Sequence, residues 1–77
     1  MTETVMKLDS ISDITTFLYF ANKCPGEVTV YSGKYVVNGK SLLGLYSLDL
    51  NSHPIKVEIT GDIPDDVKEN LKQFVVG

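Results

Sequence analysis

No arginine occurs anywhere in the 77 residues, so all seven basic side chains are lysines. The planar guanidinium fork that best clamps phosphate or carboxylate is therefore missing. With pI near 4.8 and a net charge of −3, the chain also lacks the basic patch that nucleic-acid binding calls for. A single cysteine, Cys24, excludes an internal disulfide. No apolar run approaches the ~20 residues of a membrane span, and Met-Thr-Glu-Thr at the start has neither the basic nor the apolar segment of a signal peptide. Tryptophan is absent and histidine occurs once, at His53. A lone histidine beside Pro54 reads as a turn residue rather than a catalyst. These absences point to a cytoplasmic protein, bound to neither nucleic acid nor membrane, with no metal-ligand spacing and no cofactor.

Hydrophobic residues, at 43%, and charged residues, at 22%, are in the proportions of an ordinary globular protein. At this length residues 1–77 make a single domain with one core. Thr4 to Leu8 reads as a strand with Met6 and Leu8 on one face. Ser10 followed by Asp13 resembles a capping box, and Ile11, Ile14, Leu18 and Ala21, with Phe17 beside them, recur at helical spacing. Pro25-Gly26 stops that helix. Val28 to Tyr31 and Lys34 to Val37 are β-rich runs around Ser32-Gly33, which predicts a tight hairpin. Further on, Ile55, Val57 and Ile59 alternate with Lys56, Glu58 and Thr60, as in a strand with one wet face. Val67, Leu71 and Phe74 then form the stripe of a last helix, with Pro64 in its first turn. The order β-α-β-β-α-β-α predicts an α+β open-faced sandwich, a four-stranded antiparallel sheet with three helices on one face.

Between the hairpin and the last strand stands NGKSLLGLYSLDL, residues 38–50. Gly-Lys-Ser is how a nucleotide-binding loop ends. Such a loop needs glycine five positions before Gly39, where Lys34 stands, and a β-α-β core that is absent here. The segment reads instead as a short helix capped by Ser41. Leu42, Leu43, Leu45, Tyr46 and Leu48 point in nearly every direction, yet only about half of a helix's circumference can face a sheet. With Leu45 and Leu48 inward, Leu42, Leu43 and Tyr46 are left as a docking surface, unless a following loop covers them.

YSGKYVVNGKSLLGLYSLDL resembles a segment of HPr, the phosphocarrier of the bacterial sugar phosphotransferase system. There a Y-N-G-K hairpin leads into a K-S-I-M-G-V-M-S-L helix. Lys40, Ser41, Gly44, Ser47 and Leu48 match identically, and Ala21-Asn22-Lys23 resembles the A-S-K near the end of the family's first helix. The resemblance spans essentially the whole chain and implies the same fold. It also implies a non-enzymatic protein whose partners are proteins: phosphotransferase-system enzymes, an HPr kinase or a transcriptional regulator.

The family's G-[IL]-H-A-R-P, whose histidine carries the phosphoryl group, has no counterpart. Counting back from Ala21 puts the histidine at about Ser10 and the arginine at about Ser12, in a stretch reading Asp9-Ser10-Ile11-Ser12-Asp13. Carboxylates stand where a phosphoryl dianion would sit, and a serine ester is too stable to hand its phosphate on. What the resemblance leaves is the regulatory serine that opens the second helix, at Ser41. Expected docking residues are Leu42, Leu43 and Tyr46 with Lys40, extended by Tyr19 on the first helix. Two other readings stay open: a working phosphocarrier, or an unrelated protein-binding role on the same fold.

Overall fold

Alternation of apolar and polar residues on the strands decides the architecture. The computed structural model describes residues 2–48 and 54–76. Its elements are β1 (Thr2–Met6), α1 (Ile11–Ala21), β2 (Val28–Ser32), β3 (Tyr35–Asn38), α2 (Leu42–Tyr46), β4 (Ile55–Ile59) and α3 (Asp65–Leu71), with a 3₁₀ turn at Lys72–Phe74. The strands form one antiparallel sheet in the order β1-β4-β2-β3. Registers align Thr4, Val57, Val30 and Val37 in one row across the sheet, and Met6 with Ile55 in the next. Met6, Val28, Val30, Ile55, Val57 and Ile59 on that face are buried. The opposite face carries Val5, Lys56, Tyr31 and Val36 in one row, with the Lys56 ammonium 4.6 Å from the centre of the Tyr31 ring.

The helices supply the other half of the core: Ile14, Phe17 and Ala21 from α1, Leu45 from α2, Val67 and Leu71 from α3, then Phe74. This is the open-faced sandwich that the alternation predicts. Ile11, expected in the buried stripe of α1, is instead 70% exposed. It is the first helical residue, and at ~100° per residue it lies roughly 120° round the helix from Phe17, clear of the sheet. Leu18 is only partly buried, and Phe20 packs partly against the core.

The hairpin also differs from expectation by one position. Ser32 pairs with Tyr35, so the turn is Gly33-Lys34 and the strand runs Tyr35–Asn38 rather than 34–37. Gly33 has φ 59° while Lys34 does not have positive φ, the pattern of a type II′ turn. β1 is likewise shifted toward the N-terminus, although Leu8 beyond its end is buried. α1 ends at Ala21, capped by Asn22, before Pro25 is reached, and Pro64 is the N-cap of α3 rather than inside its first turn. After the 3₁₀ turn the chain returns to β1. Lys7 N–H donates to the Phe74 carbonyl and Val76 N–H to the Val5 carbonyl, so Val75 pairs with Met6.

One close approach ties the start of β2 to the end of β4. Glu27 N–H donates to Thr60 Oγ1 at 2.9 Å, and Thr60 N–H to the Glu27 carbonyl at 2.9 Å. A Cβ at Gly26 would sit 1.9 Å from the Thr60 carbonyl oxygen, backbone that cannot swing aside. Gly26→Ala is expected to cost about 3 kcal/mol. Gly33→Ala, which meets open space but must keep positive φ, is expected to cost about 1 kcal/mol. Urea denaturation midpoints of the two variants measure the difference.

Candidate functional site

The two helix N-termini singled out by sequence are both capped by their own serines. At α1, Asp13 N–H donates to Ser10 Oγ at 3.1 Å, and Asp13 Oδ2 accepts from Asp9 N–H at 2.9 Å. This is a reciprocal cap displaced by one residue, since the carboxylate reaches past the N-cap to the residue before it. Lys7 stands 3.8 Å from the Asp9 carboxylate in an exposed pair. Ser10, Ser12 and Asp9 are exposed, so the turn faces solvent carrying hydroxyls and two carboxylates. Its anion-attracting end is already occupied by Asp13.

At α2, Gly44 N–H donates to Ser41 Oγ at 3.2 Å. The helix is only five residues long and buries Leu45, with Leu48 buried just beyond it. Gly44 lies against Val37, where a Cβ would approach to 3.3 Å, so α2 sits close on β3. Leu42, Leu43 and Tyr46 are 41%, 80% and 47% exposed. Spaced i, i+1 and i+4, they form one continuous apolar strip on the outer side of the helix.

The other two expected docking residues make contacts within the chain. Lys40 is half-buried, and its Nζ donates to the Cys24 carbonyl at 2.6 Å, closing the C-terminal end of α1. Tyr19 is exposed, stacks edge-on with Phe20 and lies under the Lys23 ammonium, 4.8 Å from the ring centre. Lys23 in turn pairs with Asp66 of α3 at 3.2 Å. Asp66, and then the Tyr19 hydroxyl, hold the Lys23 pKa above the ordinary lysine value. Tyr19 therefore belongs to the seam between α1 and α3, held between the Phe20 ring and the Lys23 ammonium. Periodicity on one helix has no means of showing which flank a second helix will take.

Gly39-Lys40-Ser41 thus has three structural duties. A Cβ on Gly39 would come within 2.5 Å of Val28 Cγ1, Lys40 holds the end of α1, and Ser41 caps α2. Cys24 is buried, with Sγ 3.7 Å from the Phe20 carbonyl. Burial raises its thiol pKa, against a smaller opposite pull from Lys40. Among the described residues no cluster of three or more His, Cys, Asp or Glu side chains could hold a metal ion, and no helix is long and apolar enough to cross a membrane. His53 lies outside the described residues.

The crystal structure of HPr-C-His from Thermoanaerobacter tengcongensis superimposes on this architecture with a TM-score of 0.78. The match covers 95% of this chain and 89% of that one, at 22% sequence identity. The chain has the HPr fold. No family model and no curated protein matches it. On the HPr fold, the place that the sequence resemblance gives to the phospho-accepting histidine falls at the N-cap of α1. Here that cap is a serine hydroxyl already accepting a backbone hydrogen bond.

Ser10→Ala is expected to lower stability by about 1 kcal/mol through loss of the cap, read from the shift in a thermal or urea transition. Cys24 is expected to react with Ellman's reagent at neutral pH at least about tenfold more slowly than a free thiol, since burial both blocks access and keeps the thiolate scarce. Unfolding in urea should restore the full rate.

Proposed function

We propose that this protein is a docking module on the HPr fold, one that does not relay phosphoryl groups, and that phosphorylation at Ser41 sets which partner it accepts. The observation that carries this reading is the first turn of α1. Ser10 and Asp13 satisfy each other's neighbourhood there, and an incoming phosphoryl dianion would meet the carboxylates of Asp9 and Asp13. Neither an imidazole to carry the group nor a guanidinium to steady it stands in that turn. Recognition remains, and the strip Leu42, Leu43 and Tyr46 supports it.

Ser41 stands directly before the strip, half-buried, as the cap of the helix that carries it. A phosphate on its Oγ adds about −1.5 to −2 charges. At a helix N-terminus that charge is favourable by roughly 0.3–1 kcal/mol, so the helix persists and the change falls on the partner. A surface that is apolar and uncharged in one state becomes apolar with a dianion at its edge in the other. By the resemblance, the modifying enzyme is an HPr kinase and the partner a phosphotransferase-system enzyme or a transcriptional regulator. The protein itself is not an enzyme in this reading.

Two labelling reactions test it. An HPr kinase with ATP is expected to place phosphate on Ser41, located by mass spectrometry and abolished by Ser41→Ala. Enzyme I with phosphoenolpyruvate is expected to give no acid-labile label, and Ser10→His alone should not create one, because Asp9 and Asp13 remain. Acid-labile phosphate on the unmodified chain would overturn the non-carrier reading. For the strip, Leu43→Asp with Tyr46→Asp is expected to weaken partner capture at least about tenfold, as loss of two apolar anchors does.

A further inference from the structure

β3 is the outer strand of the sheet, and among the described residues no strand pairs with its free edge. In the hairpin, the residues flanking a two-residue turn exchange both backbone hydrogen bonds, so Ser32 and Tyr35 do so and the pattern alternates from there. Gly39 N–H donating to the Val28 carbonyl at 2.7 Å fits this alternation. It follows that Val36 turns its N–H and C=O away from β2, toward solvent. The same strand carries two large exposed side chains, Tyr35 at 67% and Val36 at 60%. No charged residue lies within Tyr35–Asn38 to discourage pairing.

We propose that β3 pairs antiparallel with β3 of a second copy of this chain, with Val36 on the two-fold axis. The register follows from the pleat. Sheet faces are preserved across the new pair only when residues of the same face oppose each other, and the outward-turned groups must meet. Val36 against Val36 of the second copy satisfies both conditions and exchanges two N–H···O bonds. Tyr35 then opposes Val37 of the other copy on the helix-covered face, an aromatic–β-branched pair made twice. The result is a continuous eight-stranded sheet.

Charge favours a second copy as the occupant. Lys34, exposed in the turn, falls opposite Asn38 of the other copy, so no like charges meet. It arrives over a cleft of about 370 Å³ whose lining includes Thr29, Val36, Asn38 and the exposed Glu27. Lys40 also lines this cleft, but its ammonium is engaged by the Cys24 carbonyl. Each copy thus offers a cation to the other's carboxylate. Four residues of edge make a small interface, which suits a reversible dimer seen at high concentration rather than a permanent one.

Sedimentation equilibrium and backbone-amide hydrogen exchange, each over a wide range of protein concentration, test the proposal. The expected result is a monomer–dimer equilibrium in which protection of the Val36 amide rises with concentration. Val36→Lys, at an exposed position that leaves the core untouched, sets two ammoniums together on the axis and should abolish the dimer. Asn38→Asp gives Lys34 an anion directly opposite, twice per dimer, and should tighten dimerisation by about tenfold. A chain that stays monomeric with an unprotected Val36 amide would overturn the proposal. So would a dimer indifferent to Val36→Lys, or one that Asn38→Asp does not tighten.

Discussion

Everything in this molecule hangs on one face of one sheet. Four short strands place their alternate residues inward, and three helices must close over that layer with what a chain of this size can offer. α1 and α3 are long enough to lay a stripe on it. α2, at five residues, is not, and it contributes Leu45 and little else from within its own length. A helix that short cannot turn its remaining apolar residues inward, so they stay outside because the geometry leaves them nowhere to go. Lysine or glutamate at those positions would serve the fold as well, and the proposed docking role rests on their being apolar instead.

The same constraint fixes where chemistry could occur. Helices packed on one face of a sheet present their ends along the rim, where unpaired N–H groups attract negative charge. In α1 that attraction is met from within by Asp13 and Ser10. Such an end is stable and electrostatically satisfied, and for that reason a poor seat for a second anion. In the proposed reading, the side chains of this one turn separate carrier chemistry from mere possession of the fold, and Asp9, Ser10 and Ser12 there are exposed rather than part of the core.

Much of the fold was legible because it rests on short-range patterns. Val28, Val30, Val57 and Ile59 face inward as alternation demands, and Val67, Leu71 and Phe74 are buried as their spacing predicts. The cap at Ser10 was legible too, being written within four residues. What could not be read were contacts made between elements. Nothing local shows that Lys40 reaches the Cys24 carbonyl, or that Tyr19 and Lys23 meet Asp66 across two helices. The return of Val75 to Met6 depends on where the 3₁₀ turn aims the chain, and two valines after a helix do not encode that. Ile11 misled because a helix's first residue obeys the stripe's spacing without being over the sheet. The hairpin lies one position later than Ser32-Gly33 suggests, because Ser32 pairs with Tyr35 and so makes Gly33 the first turn residue, where a type II′ turn needs its positive φ.

The segment that carries the sequence resemblance to HPr is also one whose residues have several structural duties. Gly39 lies against Val28, Lys40 fastens the end of α1, Ser41 caps α2, and Gly44 lets α2 settle on Val37. Likeness there testifies to packing, since each identity has a steric or hydrogen-bonding reason to persist whatever the protein does. Activity has to be judged where the fold makes no demand. The opening turn of α1 is such a place: its N-cap needs only a side-chain acceptor, and many residues supply one. An imidazole there would be a choice made for chemistry. Serine flanked by aspartates is a choice that serves the helix, and under the proposed function the weight then falls on the outward strip of α2, whose exposed apolar residues folding does not require.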